Sequence, residues 1–350
     1  MSERPPATGT PGEPALWIRA VEGAEPDIKR RPFLYRETDY AAAEGSDPLS
    51  AGDSRGLTAS VVNGPMIKPP VWTWEVPLYF WLGGIAAGSS FVAFACDVAG
   101  DARSARIARR VAVGAVVPCP PLLISDLGRP ERFHHMLRIF KPRSPMNMGA
   151  WALTLFGALG SAAVAADEAG RTREARALGA ANAVVGGYVG SYTGVLLSTT
   201  AVPLWSRSRL FLGPIFVSTA VATGAAVVRF AVGSKADAAT RDALARVETG
   251  AIAAELALST LNERRLGDVA RPLREGRPGR LFKVAKWAVR GGLALRAARG
   301  ERARQAAGAL FLAGGLAFRY AWVEAGKAAA ADDETVARAA RDTYRGSDPL

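Results

Sequence analysis

The chain has 350 residues, 49% of them hydrophobic, and its 44 Lys and Arg outnumber 32 Asp and Glu to give a formal net charge of +12. Such a balance suits a nucleic-acid or membrane partner, and the placement of the charge decides between them. Val76–Cys96, Ser144–Ala166, Ala177–Ser206 and Leu210–Val228 contain no charged side chain, while Arg109, Arg110, Arg143, Arg176, Arg207, Arg209 and Arg229 stand mostly at their ends and form no single basic face, which excludes a nucleic-acid binder.

Residues 1–70 are rich in Pro, Gly, Glu and Arg without periodicity and read as a polar tail, disordered or ordered by a partner. The first 30 residues hold no basic start followed by an apolar core, so no cleavable signal peptide is expected and the first span must direct insertion. A membrane-crossing helix needs about 20 apolar residues at ~1.5 Å each. Stretches near 76–96, 107–125, 147–166, 179–203 and 209–230 meet that requirement. Pro118, Pro120 and Pro121 in the second should kink or end it early, because proline has no N–H to donate.

A sixth span near 247–262 is interrupted by Glu255, and an eighth near 306–326 carries Arg319 and Glu324. In the seventh, 281–298, Lys283, Lys286 and Arg290 fall on one helical face, so it either crosses or lies in the interface. Residues 329–350 form a polar C-terminal tail, and its closing GSDPL repeats Gly45–Leu49. The expected fold is an all-α integral membrane protein of about eight transmembrane helices. Four-residue spacings of Gly84 with Gly88, and of Gly186, Gly190 and Gly194, predict close helix contact. Alternating spans put the start of the first, and the loops 126–146, 204–208 and 263–280, on one face. Basic residues on both sides leave its orientation open.

Cys96 and Cys119 have no CxxC neighbour, so an iron-sulfur or zinc site within this chain is not expected. His134 and His135 are adjacent and cannot clamp one haem from two sides; they read as solvated side chains, a metal pair or a base. Ionisable residues at membrane depth are costly and need a partner, a cavity or water. Glu255 reads either as a proton relay or as half of an ion pair with Arg229 or Arg319. Glu75, among Trp72, Trp74, Tyr79 and Trp81, reads as an interfacial carboxylate in an aromatic belt or as a ligand-binding group. Tyr188 and Tyr192 lie one turn apart on a face continued by Thr199; a flat ring with a hydroxyl suits a quinone headgroup, and each alone suits core packing. Joined to Glu75 and the loop 126–149 on the same face, they favour the binding reading.

In chain order, WTWEVPLYFWLGGIAAGS, DLGRPERFHHML, KPRSPMNMGAW, YTGVLLSTTAVPLW and LFLAGGLAFRYAWVEAGK resemble the NrfD/polysulfide-reductase membrane-subunit family over about residues 71–328. The resemblance implies an eight-helix core of two four-helix bundles in the cell (inner) membrane, without haem or its own cluster. Such a subunit anchors a ferredoxin-like iron-sulfur subunit and a molybdopterin-type catalytic subunit, and exchanges electrons and protons with menaquinone or ubiquinone. The implied quinone pocket maps onto Glu75 and Tyr79, Asp126 and Arg129 at its mouth, and Tyr188 and Tyr192; Glu255 and Arg319 form a proton path. Other classes are a purely structural anchor and a secondary transporter or proton-translocating subunit. A transporter would show two halves with matching broken helices, and the sequence has no convincing internal repeat.

Overall fold

The computed structural model describes residues 66–233, 236–298 and 300–344, and the described residues are helical with no strand. The tail expected over 1–70 lies outside them up to residue 65, as do both copies of GSDPL. The long helices are α1 (Glu75–Val98), α2 (Ala102–Val116) continued by the short α3 (Cys119–Ser125), then, after the small α4 (His135–Arg138), α5 (Pro145–Glu168) and α6 (Thr172–Ser198). A short α7 (Pro203–Ser206) leads into α8 (Arg209–Val232), α9 (Ala238–Leu266), α10 (Gly276–Ala297) and α11 (Glu301–Ala330), and α12 (Asp333–Tyr344) follows in what the sequence suggested as a tail.

Five of these, α1, α2 with α3, α5, α8 and α11, are long and apolar enough to cross a membrane. The expected break in the second span falls at Val117 and Pro118, and the chain turns helical again with Pro120 and Pro121 in the first turn, where a missing N–H costs nothing. The Cys119 thiol donates to the Ala115 carbonyl at 3.4 Å beside that break. The stretch expected as the fourth span, 179–203, falls in α6, which is not one of these five; α6 stops at Ser198, and Pro203 opens α7 instead of extending it. The proposed sixth and seventh spans are parts of longer helices, and α10 lies lengthwise against α11.

Small residues decide how the helices meet. A Cβ on Gly88 of α1 would lie 1.9 Å from the Ala220 carbonyl oxygen of α8, and one on Gly224 of α8 would lie 2.4 Å from the Gly88 carbonyl carbon. Gly194 brings α6 equally close to α8 at Leu212 and Gly213, and Gly186 meets Ser90 of α1. The predicted glycine seam therefore exists, with Gly224 as a member that four-residue spacing did not reveal. Helix α8 of the later group (α8, α9, α10 and α11) packs on α1 and α6 of the earlier group (α1, α2 with α3, α5 and α6) as extensively as on α9, so the two groups are not separate bundles.

At one end of the molecule the start of α1, α7, the end of α9 and the end of α11 converge, as alternation of spans requires. Trp72 stacks on Trp205 with centroids 5.5 Å apart, Trp205 Nε1 donates to the Trp322 carbonyl at 3.0 Å, Tyr320 Oη to the Trp74 carbonyl at 2.9 Å, and Arg265 Nη1 to the Arg207 carbonyl at 2.5 Å. The opposite end is held by buried ions. Arg109 of α2 binds Asp167 of α5 at 2.6 and 3.0 Å and Asp97 of α1 at 2.6 Å. Arg229 of α8 and Arg296 of α10 both bind Glu248 of α9, the former at 2.5 Å. Pairing and hydrogen bonding offset the desolvation cost of these buried charges.

Candidate functional site

The tryptophan-rich end holds a cluster of tyrosines. Tyr79 of α1 and Tyr192 of α6 are buried in one apolar cluster, with Tyr188, Leu122 and Leu123 partly buried against it. Tyr188 and Tyr192 have ring centroids 6.0 Å apart. Their spacing of four on a helix puts both on one face, and the bent α3 brings Leu122 and Leu123 to the same cluster. The end of the Tyr192 ring lies directly on the backbone of Gly149 in α5; a Cβ there would be 2.1 Å from Tyr192 Cζ and 2.3 Å from its hydroxyl oxygen. Two separate sequence motifs, PMNMGAW and SYTG, thus meet at this contact.

The basic loop joins α3 to α5, which both contribute residues to this cluster. Asp126 caps the end of α3, and Arg129 is exposed where a short 3-10 turn, Pro130–Arg132, begins. His134 and His135 are exposed side by side, their rings T-shaped at 4.4 Å. What shapes the loop is Asn147, which the sequence reading did not single out. Its Nδ2 donates to the carbonyls of Met136 (2.6 Å) and Ile139 (3.0 Å), and its Oδ1 accepts from the Lys141 N–H (2.7 Å). Ser144 caps α5 through the Asn147 N–H at 3.4 Å. A polar residue inside the first turn of an apolar helix, right after a cap, is the signal that could have marked it.

Glu75 stands at the start of α1, half-buried, and accepts a hydrogen bond from Thr73. Tyr79, one turn on, enters the tyrosine cluster, and the next carbonyl back, Trp74, is held by Tyr320 of α11. The structure therefore brings Tyr79, Tyr188 and Tyr192 together; the hydrogen-bond partner of Glu75 is Thr73, not one of the tyrosines.

The other predicted residues lie in the second group. Glu255, 4% exposed, faces a cavity of about 10 Å³ by the centre of a water-sized sphere, room for one water. Thr219, Ser259, Lys286 and Phe318 are among its walls. Ser259 Oγ is buried without a hydrogen-bond partner among the described residues. Arg319, 2% exposed, lies flat over Phe216 at 4.0 Å and donates Nη2 to the Phe216 carbonyl at 3.2 Å. Its Nε and Nη1 have no partner among the described residues. Of the arginines weighed as ion-pair partners of Glu255, Arg229 is taken by Glu248 at 2.5 Å, and Arg319 lies beyond the 4.0 Å of a direct salt bridge. Arg319 instead reaches the junction between the groups, where a Cβ on Gly84 of α1 would come within 3.3 Å of Nη2. Lys286, on the cavity wall, is paired with Glu263.

The family profile described as "Polysulphide reductase, NrfD" matches residues 63–261, more than half of the chain. The chain belongs to the NrfD family. NrfD proteins are membrane subunits of oxidoreductase complexes, and this member is a multi-pass membrane protein. No curated protein matches it in sequence. The NrfD match takes in the tyrosine cluster, the basic loop and Glu255, and stops before α10, α11 and Arg319.

Proposed function

We propose that this NrfD protein is the haem-free subunit through which its complex exchanges electrons with a menaquinone or ubiquinone pool, passing them to a ferredoxin-like iron-sulfur subunit that serves a molybdopterin-type catalytic subunit. The observation that carries the reading is the meeting of Tyr79, Tyr188 and Tyr192 beside Leu122 and Leu123. Aromatic hydroxyls in an apolar wall are the donor set that a quinone ring with two carbonyls needs. A bound quinone would supply two-electron, two-proton chemistry. The chain's own part is to orient and to move protons. Tyr188 and Tyr192 donate to a carbonyl, Glu75 at the membrane surface takes up or returns a proton, and Asp126 and Arg129 shape the mouth. The cations of the 129–143 loop suit an acidic docking partner.

The test is quinol-dependent reduction of the iron-sulfur partner in the purified complex. Glu75→Gln with Tyr192→Phe should cut the rate at least tenfold while the complex stays assembled. An unchanged rate would leave only the structural-anchor reading.

A second reading concerns protons. The small cavity at Glu255, with the uncompensated Ser259 and Arg319 nearby, supports a relay through the second group that ends at the Lys286–Glu263 pair. In proteoliposomes Glu255→Gln should abolish any quinol-driven pH gradient while electron transfer continues; a gradient that persists discards this reading.

A further inference from the structure

The outward face of α10 poses a problem that its own fold does not resolve. Helix α10 runs antiparallel to α11: Gly292 lies on Phe311, Val289 and Ala288 on Gly314, and Phe282 stacks on Phe318 at 5.7 Å. Gly314 is near the middle of α11, one of the helices long and apolar enough to cross the membrane. Whatever α10 presents at that level is therefore presented at the depth of the bilayer's apolar core.

It presents Lys283, Val284, Trp287 and Arg290. Spacing of three and four puts these side chains in one row, opposite the buried Phe282, Ala285 and Val289. Trp287 is 69% exposed and Val284 58%. Lys283 and Arg290 are exposed, and neither has a carboxylate within salt-bridge distance among the described residues. The contrast with Lys286 is informative, since that cation, one turn from each, turns inward and is paired with Glu263. Helical side chains lean toward the N-terminus, so Arg290 leans toward the middle of the helix, where its guanidinium sits 5.7 Å from the Trp287 ring. The central turns of a membrane helix are where a lipid-facing cation is least tolerated. Trp and Arg are also among the residue types enriched at the anchors of protein interfaces.

We infer that the Lys283–Trp287–Arg290 row is an intramembrane docking seam that takes a transmembrane helix of a partner subunit carrying Asp or Glu at the depth of α11's Gly314. Charge complementarity selects the occupant: lipid tails offer no counter-ion at this depth, and lipid headgroups lie outside it. Two cations flanking an aromatic ring would seat a carboxylate-bearing helix across the ring. The inference concerns α10 and is independent of the quinone reading.

The experiment places a photo-crosslinking residue at position 284 in the full-length chain, expressed with its neighbouring subunits in native membranes. The expected adduct is a membrane-spanning subunit, joined within an apolar segment that contains Asp or Glu. Lys283→Leu with Arg290→Leu should lower co-purification of that subunit at least tenfold, and leave the detergent stability of the isolated chain equal or higher, because the cations no longer face lipid. Arg290→Glu should lose the partner and regain it when the partner's carboxylate is changed to Arg. An adduct with lipid alone, a second copy, residues 1–64 of the same chain or a soluble subunit overturns the inference, as does no adduct. A leucine variant that keeps its partner, or that unfolds, does so too.

Discussion

Replacing Gly149 by alanine tests whether the tyrosine cluster is built on a single point of backbone contact. The added Cβ would lie 2.1 Å from Tyr192 Cζ, against about 3.4 Å for an ordinary contact, so the ring end must retreat by roughly 1.3 Å or α5 must move. Overpacking of a tight core costs about 1–3 kcal/mol. Tyr192→Leu removes the ring atoms that clash and Tyr192→Phe keeps Cζ, so the two backgrounds separate ring from hydroxyl. The assay is thermal unfolding of the purified complex, followed by intrinsic fluorescence, together with quinol-dependent reduction of the partner cluster. Gly149→Ala should destabilise the wild-type and Tyr192→Phe backgrounds alike and cost close to nothing with Tyr192→Leu, a coupling of about 1–3 kcal/mol in a double-mutant cycle. An equal cost in all three backgrounds would refute the contact as the cause.

Glu248→Gln leaves Arg229 and Arg296 facing each other without their shared carboxylate, and should cost about 3–5 kcal/mol, read as a shortened half-life in detergent. Asp167→Asn should act similarly through Arg109 at the same end of the other group. Asn147→Leu removes three hydrogen bonds that hold the basic loop, so trypsin should cut between Arg129 and Arg143 at least tenfold faster in proteoliposomes. Asp101, between α1 and α2, is pushed up in pKa by burial, but hydrogen bonds from Ser104, Thr240 and Arg103 outweigh this and hold it below its ordinary value. Its contribution is present above the ordinary carboxylate range and is lost as pH falls through the depressed value. Acid inactivation should therefore begin below about pH 4 in the wild type, and the part due to this residue should vanish in Asp101→Asn.

The spans in α1, α2 with α3, α5 and α8 were readable because a bilayer imposes a length and a composition, and both are visible one residue at a time. The break at Pro118 was readable for a related reason: a missing N–H is a property of the residue itself. The end of α6 was not, since an uncharged run continues from Ala177 to Ser206 and hydropathy cannot tell a helix from the turn that follows it. Pro203, which suits the first turn of a new helix, is the local mark of that boundary. Tyr188 and Tyr192 share a face because four residues make about one turn, and span alternation put the start of the first span at the same end, but their meeting with Tyr79 needed the packing of α1 on α6. Pairings across helices stayed hidden. Nothing local assigns Arg229 to Glu248 and not to Glu255, or shows that Asn147 folds a loop over the site. Those choices depend on which helices touch, and the glycines that decide it act through backbone distance, with no side chain to read.

The seam at Gly88 and Gly224 limits how this molecule can move. Helices α1 and α8 belong to different groups of four, yet their backbones touch with no room for even one methyl carbon between them. Rocking one half against the other, the motion by which carriers expose a site to each side in turn, would have to prise that contact open. Any coupling between the proposed tyrosine site and Glu255 would then have to run through side chains, and Arg319, whose guanidinium comes close to Gly84 of α1, is the charged one at that contact.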